Sequence, residues 1–178
     1  MTATDRTPAE WRTPPPLTGL GSFKKEALGR VIQDRAGAPA SKQLLDVRDH
    51  SVTLSVKDID AVVDWYAENF GFAVDRRADF PDYGTIVIMI RAGDVRIELL
   101  HDAAFEPFVR PDPPGHSARQ GATQLQFFTD DLAAFVERVK ARPDLTIAWD
   151  MIDITVLRLK HFFIRDIESN LIQISEPY

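Results

Sequence analysis

The chain writes one local pattern twice. Residues 51–66 read SVTLSVKDIDAVVDWY and residues 124–139 read QLQFFTDDLAAFVERV. Each copy passes from an alternating stretch to an aspartate, Asp58 or Asp131, and then to apolar residues at helical spacing. Ile59, Val62, Val63 and Tyr66 stand in phase with Leu132, Phe135, Val136 and Val139, which is the i, i+3, i+4, i+7 stripe of one helix face. A strand and an amphipathic helix, repeated in the same phase, restrict the chain to two similar modules. Each must bury its own helix against its own sheet.

The residues around the repeat extend both copies. In the first module a strand over 51–56 and a helix over 59–69 precede a strand from Phe72, then strands over 85–91 and 95–101 about an Ala92-Gly93-Asp94 turn. In the second, a strand over 123–129 and a helix over 132–141 precede strands near 146–149, 155–164 and 171–175. Residues 105–120 hold Pro107, Pro111, Pro113, Pro114 and Gly115 and read as an inter-module linker. The predicted organisation is an arm and helix over 1–48, module one over 49–104, the linker, and module two over 121–178. The arm contains Pro14-Pro15-Pro16, and its helix, over 23–35, has no counterpart in the repeat. One helix per four strands predicts an α+β fold with mixed sheets.

Bulk properties narrow the function. A net charge of −6 argues against a surface built on phosphate contacts, so no nucleic-acid partner is expected. The absence of cysteine removes thiolate metal sites and a Cys nucleophile. No apolar run approaches the ~20 residues of a membrane span and no secretory signal is visible, so a cytoplasmic protein is expected. Asp49-His50-Ser51 is not a hydrolytic relay, because neighbouring strand residues point to opposite faces.

The phrases SVTLSVKDIDAVVDWYAENFGF, GDVRIELL, QLQFFTDDLAAFVERVK and FFIRDIESNLIQISEP resemble the vicinal oxygen chelate superfamily. That superfamily includes glyoxalase I, extradiol dioxygenases, methylmalonyl-CoA epimerase and the fosfomycin and bleomycin resistance proteins. The resemblance covers about 130 residues, from Asp49 to Tyr178. It implies two tandem βαβββ modules forming a cup around one site, and a homodimer. In metal-using members the ligands stand at positions matching Ser51, Glu98, Gln124 and Gln173. Only Glu98 keeps a usual ligand type. The tail DIESNLIQI also departs from the familiar DPDGNxIEL, with Ile167, Ser169 and Gln173 replacing Pro, Gly and Glu.

Strand alternation sorts the remaining candidates. Ser51, Thr53 and Ser55 face the cup, as do Gln124, Gln126 and Phe128, Glu98 and Leu100, and Gln173 and Ser175. The family register adds Phe163, and parity then adds His161 and Leu159. One carboxylate, two amides and a hydroxyl make a poor divalent-metal set, so the expected cofactor is none, with at most a weakly held divalent metal. Two functions follow. One is a metal-independent protein that binds a small organic ligand through Ser51, Thr53, Glu98, Leu100, Gln124, Gln126, Phe128, Phe163 and Gln173. The other is a lyase, isomerase or epimerase in which Glu98, partnered by His161, moves a proton next to a carbonyl. A third reading gives Glu98 no chemistry and bonds it to Gln124, Gln126 or Gln173.

Overall fold

The computed structural model describes residues 50–178. The expected arm and the helix over 23–35 lie outside them.

Asp58 starts the first helix by accepting the Ala61 N–H at 3.1 Å, and Asp131 does the same for Ala134 at 2.9 Å. The paired aspartates of the repeat are therefore helix caps. The first helix, α1 (Ile59–Phe70), stops at Gly71, whose φ of +70° is the left-handed termination that glycine adopts without strain. The second, α2 (Leu132–Lys140), has Arg138 and Lys140 in its last turn, where cations meet the negative end of the helix dipole.

Around α1 stand β1 (Val52–Ser55), β2 (Ala73–Phe80), β3 (Thr85–Ala92) and β4 (Val95–Asp102). Around α2 stand β5 (Leu125–Phe128), β6 (Thr146–Ile154), β7 (Leu159–Arg165) and β8 (Leu171–Pro177). The two sheets have orders β1-β4-β3-β2 and β5-β8-β7-β6. The first strand of each module pairs in parallel with its fourth, and the other pairings are antiparallel. This is the tandem βαβββ, α+β arrangement. One expected strand is displaced: Thr155–Leu157 form a 3-10 turn and Arg158 has φ +53°, so β6 runs on to Ile154 and β7 begins only at Leu159.

Ile59, Val62 and Tyr66 pack on Ile88, Ile90, Ile97 and Leu99, while Leu132, Val136 and Val139 pack on Phe162, Ile164, Ile172 and Ile174. Each such side chain, removed from water, contributes roughly 1.5–3 kcal/mol before entropy is counted. The core is continuous between the modules. Phe70 meets Phe127 at 5.2 Å and Phe135 at 6.5 Å. Tyr66 donates its hydroxyl to Asp166 Oδ2 at 3.1 Å, a buried bond across the modules. Asp166 Oδ1 accepts the Glu168 and Asn170 N–H groups and so shapes the β7–β8 turn. Glu168 on that turn accepts the Lys57 and Asp58 N–H groups and closes the start of α1 from the other module. In the same turn Ser169 takes φ +69°, a left-handed conformation that glycine accepts more readily. No helix among the described residues is long and apolar enough to cross a membrane.

Candidate functional site

The strand register sets several of the predicted residues beside one another. Thr53 lies beside Glu98 and Ser55 beside Leu100 in the first sheet. Gln126 lies beside Gln173, Phe163 beside Gln173, and His161 beside Ser175 in the second. The opposite faces carry Ile97, Leu99, Ile172 and Ile174 into the core.

The second module draws its cup-facing polar groups into one connected set. Gln124 Nε2 donates to Gln173 Oε1 at 2.9 Å, and Gln126 Nε2 donates to Ser175 Oγ at 2.9 Å. His161 Nδ1 lies 2.8 Å from both Ser175 Oγ and Gln173 Nε2. His161, Gln173 and Ser175 are all buried. Burial holds the His161 imidazole below the ordinary histidine value, so it is neutral at physiological pH. Nδ1 then accepts from the Gln173 amide and the ring's proton sits on Nε2. Gln124 Oε1 is buried and has no hydrogen-bond partner, which leaves one acceptor open.

Phe163, also buried, continues this wall. Trp149 lies nearly parallel to it at 6.3 Å, and His116 meets it edge-on at 5.7 Å. His116 comes from the proline-rich segment, which lies folded against the second sheet as a strap. Arg165 fixes the strap by donating to the Arg110 carbonyl at 2.8 Å and to Asp112. Arg110 fixes it internally, through the carbonyls of His116, Arg119 and Gln120. Desolvation, assisted by the Arg110 charge, lowers the His116 pKa; the nearby Pro114 carbonyl opposes this only partly, and Nδ1 makes no well-formed hydrogen bond.

The other candidates stand apart from this network. Glu98 is half-buried on the first sheet, and no hydrogen bond or ion pair joins it to another described residue. The network closes through Gln124, Gln126, Gln173, His161 and Ser175 without it. No hydrogen bond joins Glu98 to His161 or to Gln124, Gln126 or Gln173; the imidazole Nδ1 instead meets Ser175 and Gln173 on the adjacent strand. Ser51 is exposed and precedes β1, so it lies outside the ladder. Phe128 is 65% exposed. His101 turns away from the cup, its Nδ1 3.4 Å from the Val56 carbonyl.

Alternation did not reveal the cleft between the modules. A cavity of about 570 Å³ runs between β1 and the start of β5, lined by Val52–Ser55, residues 122–125, the strap over 105–110 and the turn over 167–171. Its lining includes the neutral polar residues Thr53, Ser55, Thr123, Gln124 and Asn170, together with Phe108, Val109 and Ile167, each at least half exposed. The prolines of the strap were the available signal. Their composition marked a connection but not the surface it would cover.

The residues at the family's metal positions do not fit a tightly held divalent ion. Gln173 Oε1 accepts the Gln124 amide, Gln124 offers only a neutral amide oxygen, Ser51 is outside the strand, and Glu98 is the one carboxylate. No group of three or more His, Asp or Glu side chains among the described residues is placed to hold a metal.

Comparison with known proteins agrees with this architecture. Among curated proteins none matches the sequence significantly. Solved structures match in fold. The protein SMU.1112c is 22% identical with a TM-score of 0.59, over 75% of this chain and 100% of that one. The trypanothione-dependent glyoxalase I of Leishmania major is 17% identical with a TM-score of 0.56, over 74% and 87%. A glyoxalase family protein from Enterococcus faecalis is 18% identical with a TM-score of 0.56, over 75% and 98%. The model of one family, described as the glyoxalase/bleomycin resistance protein/dioxygenase superfamily, matches residues 48–144, more than half of the chain. With the duplicated βαβββ modules, that match makes this chain a member of the glyoxalase/bleomycin resistance protein/dioxygenase superfamily.

Proposed function

We propose that this protein is a metal-independent small-molecule-binding member of the superfamily, holding an organic ligand in the cup between its modules. The observation that carries the reading is the Gln124–Gln173 hydrogen bond. Gln173, one of the two amide positions that would have to offer an oxygen lone pair to a metal, instead accepts the Gln124 amide in a neutral network. The open Oε1 of Gln124 suits a ligand N–H or O–H, and the half-buried Trp149 ring, backed by Phe163, suits an apolar or aromatic body. Thr53, Glu98 and Leu100 offer the facing polar and apolar contacts from the first module. The protein is taken to act as a cytoplasmic homodimer without nucleic-acid or membrane partners, in keeping with its net charge of −6.

Trp149 provides the assay. Ligands from a panel of neutral and cationic aromatic compounds should quench it saturably, with or without a chelator, and Gln173→Leu should weaken that binding about tenfold. Elemental mass spectrometry of untagged protein should find far less than one metal per chain. Near-stoichiometric metal that disappears in Glu98→Ala would overturn the reading. Exchange of a ligand C–H with deuterated solvent, abolished by Glu98→Gln, would replace it with proton-transfer catalysis.

A further inference from the structure

The cleft between β1 and β5 runs along strand edges rather than across strand faces. Consecutive residues of β1, from Val52 to Ser55, all line it, although their side chains alternate between core and cup. A cavity that meets the backbone of an edge strand accounts for this pattern. The hydrogen bonds identify which backbone groups face it. Val56 N–H donates to the Leu100 carbonyl, so Val52, Leu54 and Val56 turn their main-chain groups toward β4. Thr53, Ser55 and Lys57 then turn theirs outward, and Lys57 N–H is indeed taken by Glu168 across the seam. On the other side, Thr129 N–H donates to the Ser175 carbonyl, so Leu125, Phe127 and Thr129 face β8 while Gln124 faces the seam. No backbone hydrogen bond joins β1 to β5 among the described residues. Two open strand edges thus border one cavity, and Glu168 closes the first edge at Lys57.

We propose that this cleft takes a short peptide, bound in extended form between the two edges by main-chain hydrogen bonds to Thr53, Ser55 and Gln124. Thr53, Ser55 and Gln124 belong to both the cleft and the cup-facing set, so the proposal rests on the reading of the cup as an organic-ligand site and extends that site along the strand edges. An extended amide chain presents donors and acceptors on both sides at the strand repeat, which matches two open edges as a rigid ring or a sugar does not. Four residues of β1 span ~13 Å, the length of about four peptide residues. Alternate side chains would rest on the exposed apolar lining residues Phe108, Val109 and Ile167. The Lys57 ammonium and the Glu106 carboxylate line the same cleft without an ion pair among the described residues, and they complement the two free termini of a short peptide.

The probe is a pool of tetrapeptides with free termini, built from Ala, Val, Leu and Phe, added to the full chain. A second pool carries N-methyl groups on alternate amides. Amide hydrogen exchange is read by NMR. The first pool should slow exchange at Thr53, Ser55 and Gln124 at least tenfold, and the N-methylated pool should not. If the peptides quench Trp149 but leave these three amides unprotected, or if both pools bind equally, the edge-strand proposal is wrong. If the aromatic panel binds and the peptides do not, the peptide proposal is wrong and the binding function stands. Failure of both peptides and panel to bind overturns the proposed function as well.

Discussion

Tyr66→Phe tests whether the two modules are locked by a specific buried contact. The substitution keeps the ring and its edge-on packing against Trp65 at 5.1 Å and Phe72 at 5.7 Å. It removes the hydroxyl that donates to Asp166 Oδ2. Burial, and then the Asp166 charge, raise the Tyr66 pKa well above its ordinary value, so the hydroxyl is a donor throughout the usable pH range. Hydrogen bonds to charged groups contribute about 1.5–3 kcal/mol. Asp166 Oδ2 keeps the Asn170 Nδ2 bond at 2.9 Å and Oδ1 keeps two backbone donors, so the carboxylate is not stranded. The loss should therefore fall near the lower end, about 1.5 kcal/mol, or a melting-temperature drop of ~3–6 °C for a chain of this size. Urea unfolding followed by circular dichroism measures it, with the slope unchanged if the native state keeps its compactness. A double-mutant cycle with Asp166→Asn should return a coupling of about 1 kcal/mol. Additive single effects, or a loss below ~0.3 kcal/mol, would refute the idea that this bond holds the modules together.

Glu168→Ala should cost about 1–2 kcal/mol, because it uncaps the Lys57 and Asp58 N–H groups, and it should speed hydrogen exchange at both amides. Arg165→Met removes the strap's anchor on Arg110 and Asp112 and should expose Phe163, shifting Trp149 emission to the red without changing far-ultraviolet circular dichroism. Stability should decline with acid through the histidine range. Burial lowers the folded pKa of His161 and His116, so the unfolded chain takes up protons first as pH falls below ~6.5, and each imidazole contributes a slope of at most ~1.4 kcal/mol per pH unit. This stabilisation is complete above the unfolded value and is lost as pH falls through the folded one. Asp166, whose carboxyl is pushed upward by burial, acts with the opposite sign: its contribution is complete below ~3.9 and is lost as pH rises through its folded value. The difference between wild type and His161→Asn therefore isolates the imidazole, and identical pH profiles for the two would contradict its buried, neutral state.

The duplication and the faces of its strands were legible in the sequence because both depend on local periodicity. Asp58 and Asp131 cap their helices, and the stripes Ile59–Val62–Tyr66 and Leu132–Val136–Val139 are buried where the 3.6-residue spacing placed them. Gln126 and Gln173 share the face that alternation assigned. The end of β6 was harder to read, because the chain turns at Thr155–Leu157 without a glycine or proline and Arg158 takes the left-handed position. Partnerships needed the tertiary structure. Two side chains on one face compete for the same neighbours, and distances on adjacent strands decide the winner. His161 accordingly bonds Ser175 and Gln173 rather than Glu98. The seam likewise required the folded chain. An open strand edge is defined by the partner it lacks, and a cleft by two segments far apart in sequence, here Val52–Ser55 and residues 122–125, meeting under a strap fixed by Arg165. Periodicity determines which way each side chain points, whereas only long-range packing determines what it meets there.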